Sequence, residues 1–348
     1  MHRTVPLFLA LAFLVTGAAT SPAALDAAPR SGVVTMQFDL SHQPAGEEAR
    51  LWIPYPVSDS HQRISEVRIA GTADETAVYT DQQFSTPMLH ARWPAGKENR
   101  TLTFSYRVER MERRHPDLTR PETPWDPADY APWLAPTRLA PLDGPVKALA
   151  DKITAGKTTV LSKARAIYDW TCDNTYRNPE TRGCGAGDVC QLLEDPGGKC
   201  GDLSSIYVTL CRAAGVPARH VLGLRQGSKA TQDITTWQHC WAEFYLPGTG
   251  WVAADPADVR KGMLKRGLGR YDPVPEDLRE VFWAGVDAAR IRVSVGRDLT
   301  LNPPQAGDPV NYLMYPFAQV GGTTLDWLDP KTFRYTITYQ PVADDGSG

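Results

Sequence analysis

Residues 197–219 read GGKCGDLSSIYVTLCRAAGVPAR and place a cysteine at the first turn of a predicted helix, 200–214. The apolar residues that follow recur every three or four positions, which is typical of one buried helix face: Leu203, Ile206, Tyr207, Leu210 and Ala214. Gly215, with Pro217 just beyond it, predicts the end of the helix. Unpaired N–H groups and the positive dipole at a helix start favour a thiolate and can bind an oxyanion, so Cys200 is a candidate nucleophile.

A histidine lies 39 positions further on (239 − 200), within a predicted strand over residues 237–246. Because side chains alternate along a strand, His239 shares one face with Trp237 and Trp241, whereas Cys240 points to the opposite, apolar face. A histidine in such a strand is more often structural than catalytic. His239 therefore becomes a candidate base only through its relation to the cysteine and to an acidic residue.

That acidic residue is Asp255, which follows a second predicted strand. If residues 247–249 form a three-residue hairpin loop, Trp241 lies opposite Asp255, and His239 lies diagonally from it on the same face. Diagonal neighbours are about 7–8 Å apart, within reach of an imidazole and a carboxylate that lean together. A slip of one residue would place them on opposite faces, so the prediction depends on this register. Taken alone, Asp255 could be a turn residue.

Cys200, His239 and Asp255 together meet the needs of nucleophilic catalysis, because the base takes the thiol proton and the carboxylate fixes the base's tautomer. The sequence resembles the transglutaminase-like superfamily, most closely its bacterial exported members, over about residues 145–260. Four motifs in order carry the resemblance: GKCGD (198–202), LCRAAGVPAR (210–219), HCWAEFY (239–245) and GWVAADP (250–256).

The resemblance implies an α+β fold with a papain-like core, in which helices pack on an antiparallel sheet. It also implies a triad of Cys200, His239 and Asp255 and acyl transfer through a thioester. We expect no cofactor and no metal. In the calcium-dependent cross-linking members the nucleophile lies between Gln and Trp, whereas Lys199 and Gly201 flank it here. No acidic calcium-loop pattern is evident either. Hydrolysis of an amide or peptide bond is therefore favoured over transamidation.

Composition divides the chain into five predicted segments. Short β-branched and aromatic runs separated by Gly, Pro, Asp and Ser are typical of a sandwich, and a run of prolines excludes a long helix. The segments are a signal peptide (1–28), a small β-sandwich domain (31–112), a Pro-rich linker (113–144), the catalytic core (145–260) and a β-rich C-terminal extension (261–342).

The first residues indicate export. His2 and Arg3 precede an apolar run over Val5–Ala19, and small residues follow it, as in a signal peptide. The run is short for a membrane-spanning helix, which needs about 20 residues, although an uncleaved anchor is the alternative. We therefore expect a periplasmic or secreted protein with no membrane span after cleavage. The substrate would be a protein or peptide, possibly of the cell envelope. A net charge of -3 gives no argument for a nucleic-acid partner.

All six cysteines lie within residues 172–240. In an exported protein an even number predicts disulfides, yet a free Cys200 would leave at least one other cysteine unpaired. A bridge between Cys184 and Cys190 is favoured over a zinc site that these two would form with Cys200 and His239, because their spacings do not match those of zinc-binding cysteine pairs. The bridge between Cys184 and Cys190 is one example, and the pairing of all five cysteines other than Cys200 stays open.

Two non-enzymatic alternatives remain at this stage. The chain could be a peptide- or envelope-binding module on a transglutaminase-like scaffold, or an envelope structural protein stapled by disulfides. Arg212 and Arg219 are interpreted as charges that pin the nucleophile helix to the sheet. Trp237 and Trp241 could line an acyl groove or cover the core.

Overall fold

The computed structural model describes residues 29–115 and 117–342, so the predicted signal peptide lies outside the described residues. The helices are α1 (Ala131–Leu134), α2 (Gly144–Ile153), α3 (Val160–Asn174), α4 (Val189–Glu194), α5 (Cys200–Ala213), α6 (Pro256–Lys265) and α7 (Glu276–Val281), with a 3-10 turn at Pro127–Tyr130. The strands are β1 (Arg30–Asp39), β2 (Ala49–Pro54), β3 (Gln62–Gly71), β4 (Glu75–Thr80), β5 (Pro87–Trp93), β6 (Thr101–Arg110), β7 (Arg113–Arg114), β8 (Tyr176–Arg177), β9 (Gly197–Gly198), β10 (Ala218–Arg225), β11 (Gln232–Asp233), β12 (Gln238–Leu246), β13 (Gly250–Ala254), β14 (Gly285–Val286), β15 (Arg290–Val295), β16 (Phe317–Val320), β17 (Thr323–Thr324) and β18 (Arg334–Pro341).

Both ends of the chain build the β-sandwich. Its two five-stranded sheets have the orders β11-β18-β1-β6-β3 and β17-β16-β2-β5-β4. Burial alternates residue by residue along β6, as expected for a strand with one face in a core. Since β18 pairs with β1 and β16 pairs with β2, the segments 31–112 and 261–342, which were expected to be separate, share their sheets.

The second layer is a four-stranded antiparallel sheet of order β13-β12-β10-β15, on which α5 packs. Every residue of α5 is buried. Ile206, Tyr207 and Leu210 of the predicted apolar stripe lie in one core with residues of β12, including Ala242 and Phe244. Leu203 packs instead in a cluster with Cys200. Helices packed against this sheet confirm the predicted α+β class. The edge strand β15 comes from the segment that we expected to lie beyond the core.

The hairpin of β12 and β13 has the predicted register. Leu246 pairs with Gly250 and Ala242 with Ala254, so the next step along the ladder brings Asp255 opposite Trp241. The chain then enters α6, whose N-cap is Asp255. Strand alternation and this loop length together aim His239 and Asp255 at the same side of the sheet.

The Pro-rich segment 113–144 is held against the core. The Glu122 carboxylate accepts hydrogen bonds from the N–H groups of Val160 and Leu161 at the start of α3, at 3.0 and 2.8 Å. The Arg212 guanidinium of α5 donates to the Ala135 carbonyl at 2.8 Å and to the Ala218 carbonyl at 2.9 Å. Arg212 thus joins helix, sheet and segment, in keeping with its predicted pinning role. Within residues 29–115 and 117–342, each helix is too short or too polar to cross a bilayer.

Candidate active site

Cys200 is the first residue of α5, and its side chain is 3% exposed. The N–H of Gly201 donates to the Cys184 carbonyl at 2.7 Å, which fixes the loop before α4 against the helix start. A Cβ at position 201 would lie 2.5 Å from that carbonyl oxygen, so this approach requires glycine. The first turn of the helix thus fixes the position of the sulfur.

Two buried charged residues brace this helix start, and the sequence did not reveal either. The Asp202 carboxylate accepts hydrogen bonds from the N–H groups of Lys199 at 3.1 Å and Gly187 at 2.9 Å. The Arg297 guanidinium donates to the Gly201 carbonyl at 3.0 Å and to the Ala186 carbonyl at 2.8 Å. Asp202 could have been found as an acidic residue at the third position of a helix. Nothing in the local sequence indicates Arg297.

His239 and Asp255 are in direct contact beneath the cysteine. The Nε2–H of His239 donates to Oδ2 of Asp255 at 2.7 Å, and the two residues are 3% and 0% exposed. The other oxygen of Asp255 accepts the N–H of Asp258 at 2.9 Å, so the helix start of α6 holds the carboxylate in place. The hairpin register therefore produces the expected contact.

A buried network of charges lies behind this pair. The Arg290 guanidinium donates to Asp255 Oδ2 at 2.9 Å and to Asp258 Oδ2 at 2.5 Å. Arg225 donates to both oxygens of Asp258, at 2.5 and 2.7 Å. The other three members of the network, Asp258, Arg290 and Arg225, were not predicted from the sequence. Asp258, one helical turn after Asp255, was the only one with a local signal.

The same group has ligands of the kind that metals use. One ligand atom from each of His239, Asp255 and Asp258 can be chosen so that all three lie within 4.8 Å of one another. Arg290 and Arg225, however, already neutralise the two carboxylates. Since a cation would have to displace these guanidinium groups, the arrangement fits a protonatable histidine better than a metal ligand set.

The network raises the pKa of His239. Burial and the charge of Arg225 act to lower this pKa, but the charges of Asp258 and Asp255 and the hydrogen bond to Asp255 outweigh them. Burial likewise opposes ionisation of Asp258, yet Arg225, His239 and Arg290 hold its pKa well below the usual value. The histidine is thus stabilised in its protonated form.

The pKa of Cys200 is shifted in the opposite direction, below its usual value. Hydrogen bonds from the Cys184 and Cys240 thiols lower its pKa, burial opposes them, and the hydrogen bond and charge of His239 lower it further, to well below 9.0. The hydrogen bond to Cys200 and burial raise the pKa of Cys184, and burial and the same kind of hydrogen bond raise that of Cys240. The arrangement therefore favours a Cys200 thiolate beside a His239 imidazolium, with two neutral thiols as donors.

The expected disulfide between Cys184 and Cys190 is absent, which corrects that prediction. All six cysteines are free thiols. Cys184 is buried, where its sulfur contacts the Gln238 carbonyl at 3.7 Å and accepts a hydrogen bond from the Tyr315 hydroxyl at 3.3 Å. Cys190 is exposed on α4. Proximity in sequence misled the prediction because the two thiols point into different surroundings.

Cys200 and His239 open into a cleft of about 830 Å³. One part of its lining is basic, and another is aromatic. Trp237 lies in the cleft lining, whereas Trp241 is buried and stacks on the His239 ring with centroids 6.3 Å apart. Trp237 therefore lines the cleft, and Trp241 covers the core.

Comparison with known proteins identifies the superfamily of the core. The model of the transglutaminase-like superfamily matches residues 147–256. An uncharacterized protein of Haemophilus influenzae is 31% identical over 328 residues, covering 86% of this chain and 89% of that protein. A protein-glutamine gamma-glutamyltransferase of Pseudomonas aeruginosa is 31% identical over 100 residues, which are 27% of this chain and 15% of the enzyme.

A solved structure shares the fold over nearly the whole chain. It is named "Putative Cysteine Protease from Cytophaga hutchinsonii" and superposes with a TM-score of 0.51 at 17% identity. The similarity covers 90% of this chain and 98% of that one, so it includes the sandwich strands from both chain ends as well as the core.

Proposed function

The chain belongs to the transglutaminase-like superfamily, and on that premise we propose that it is an exported thiol enzyme that hydrolyses amide or peptide bonds. The observation that carries the proposal is the buried His239, hydrogen-bonded to Asp255 at 2.7 Å and acting on the pKa of Cys200 at the bottom of a cleft. A binding module would not need a thiol with a lowered pKa held against an imidazole.

The reaction follows from these positions. The Cys200 thiolate attacks the carbonyl carbon, and the N–H groups at the start of α5 stabilise the oxyanion that forms. The His239 imidazolium gives its proton to the leaving amine, and the C–N bond breaks to leave a thioester. Neutral His239 then takes a proton from water, whose oxygen attacks the thioester. The products are a carboxylic acid and free Cys200, with Asp255 keeping the ring in one tautomer throughout.

The charges in the cleft support hydrolysis over transfer to an amine. Six cationic side chains line the cleft, and no carboxylate does so among the described residues. An ammonium group, such as that of a substrate lysine, would be repelled from this lining, whereas water is not. Lys199 and Gly201 also favour hydrolysis, because the calcium-dependent cross-linking members have Gln and Trp at these two positions. Export is supported by the apolar run over Val5–Ala19.

We expect hydrolysis products from a peptide library incubated with the protein, and none from the Cys200→Ser variant. Mass spectrometry would identify the new carboxyl termini, and added methylamine would reveal transfer as methylamide termini. Cys190→Ser is the matched control, because this exposed thiol is absent from the cleft lining, and it should cleave as wild type does. Equal cleavage by Cys200→Ser would refute the proposal. A predominance of methylamide products would make the protein a transferase instead.

A further inference from the structure

The basic part of the cleft lining, which we call the cationic wall, is unusual in a chain of net charge -3. It consists of Arg177, Arg182, Lys199, Arg225, Lys261 and Lys265. These residues come from β8, the loop before α4, the start of α5, the end of β10 and α6. The fold therefore gathers positive charge from five places around one thiol.

Most of this charge is uncompensated. Arg225 is paired with Asp258 and Arg182 with Asp326, each at 2.5 Å. The other four cations make no ion pair with any part of the chain that the structure describes: Arg177, Lys199, Lys261 and Lys265. A cleft with low-dielectric walls and one sign of charge concentrates its field, so an anion entering it would be attracted.

Lys261 is partly buried among like charges. Its pKa is lowered by burial and by the charge of Arg225, and the charges of Arg177 and Lys265 act in the same direction, against that of Asp258. The like charges thus crowd one another in the empty cleft. A bound anion would relieve this repulsion, which is the usual condition of a preformed anion site.

The rest of the cleft lining indicates which apolar groups a ligand could carry. Aromatic side chains from the end of the chain and from the segment before β12 complete it: Trp237, Tyr315, Trp327, Phe333 and Tyr335. Aromatic surface beside a few charges is suited to an organic molecule with an apolar part, such as a peptide. Lys199 directly precedes the nucleophile, so a group bound by the cationic wall lies near the reacting carbonyl.

We propose that the acyl donor is an acidic peptide, whose carboxylate the cationic wall binds beside Cys200. The inference rests on the proposed function and adds the substrate class to it. The carboxylate could belong to an acidic side chain or to a peptide C-terminus, since both present the same group to Arg177 and Lys261.

Two alkylating reagents of different charge test the wall without a known substrate. In the Cys190→Ser background, we expect the rate ratio of iodoacetate to iodoacetamide at Cys200 to exceed the ratio for free N-acetylcysteine by about tenfold or more. Added salt should reduce the excess, as should the double variant Arg177→Gln, Lys261→Gln. Lys157→Gln, which removes an exposed lysine outside the cleft lining, should leave it unchanged.

Three pentapeptides then distinguish the sources of the carboxylate: AAEAA and AAQAA as C-terminal amides, and AAQAA as the free acid. Protection of Cys200 against iodoacetamide should need at least about fivefold less of one or both acidic peptides than of the neutral one. If Cys200 is alkylated with the N-acetylcysteine ratio, or if the three peptides protect equally, this inference fails while the proposed function stands. If Cys200 resists both reagents, the proposed function fails with it.

Discussion

The Cys200→Ala variant is expected to lose peptide hydrolysis by about 10⁴-fold or more in kcat/KM, which would be the largest effect of any substitution. Without the sulfur no thioester can form. The neighbouring thiols cannot replace it, because burial alone still raises the pKa values of Cys184 and Cys240 after the Cys200 sulfur is gone. The measurement is kcat/KM on a peptide found in the library screen.

The same assay tests the role of Asp255 and includes Cys190→Ser as a control. Asp255→Asn should lose activity but far less than Cys200→Ala, because an amide oxygen can still accept the N–H of His239 but no longer stabilises the imidazolium by its charge. Cys190→Ser should keep full activity. Retention of more than a tenth of wild-type activity by Cys200→Ala would mean that another group carries the reaction.

The second large effect concerns stability. Replacing Arg290 by glutamine should lower the free energy of unfolding by about 3–5 kcal/mol. Arg290 is fully buried and donates to Asp255 and Asp258, so its removal leaves buried carboxylate charge without sufficient compensation. Such a loss is a large share of the about 5–15 kcal/mol that stabilises a typical domain. Urea denaturation followed by tryptophan fluorescence would measure it.

Arg292 provides the matched control for this variant. It lies two residues further along β15 and pairs with Asp59 at 3.1 Å, but both of these side chains are about a quarter exposed. Since exposed ion pairs contribute little, Arg292→Gln should cost less than about 1 kcal/mol. Equal losses in the two variants would show that the buried network does not stabilise the fold.

Local patterns were sufficient to place the centre of the site. The apolar stripe of α5 and the glycine-rich approach to it placed Cys200 at a helix start, and the three-residue loop at 247–249 set the hairpin register. Each of these features depends on residues close together in sequence, where periodicity and turn length act directly. The contact between His239 and Asp255 follows from them.

Long-range features had no such signal. Arg290 and Arg297 reach the site from a segment that was expected to be a separate extension. The sandwich likewise pairs β1 with β18, from opposite ends of the chain. A partner so distant in sequence leaves no local periodicity.

We expect His239 to help hold Cys200 as a thiolate. Because the pKa of Cys200 is lowered and that of His239 is raised, the ion pair of thiolate and imidazolium is favoured over the pH range between the two pKa values. Alkylation needs only the thiolate. Its rate at neutral pH should therefore be a larger fraction of the plateau rate than that of an ordinary thiol, whose pKa is about 8.5.

The most direct test is the pH dependence of Cys200 alkylation by iodoacetamide in the Cys190→Ser background, with and without His239→Ala. We predict a midpoint well below that of an ordinary thiol when His239 is present, and a midpoint shifted upward when it is replaced. A midpoint at or above about pH 8.5 that does not move on replacement of His239 would show that His239 does not stabilise the Cys200 thiolate.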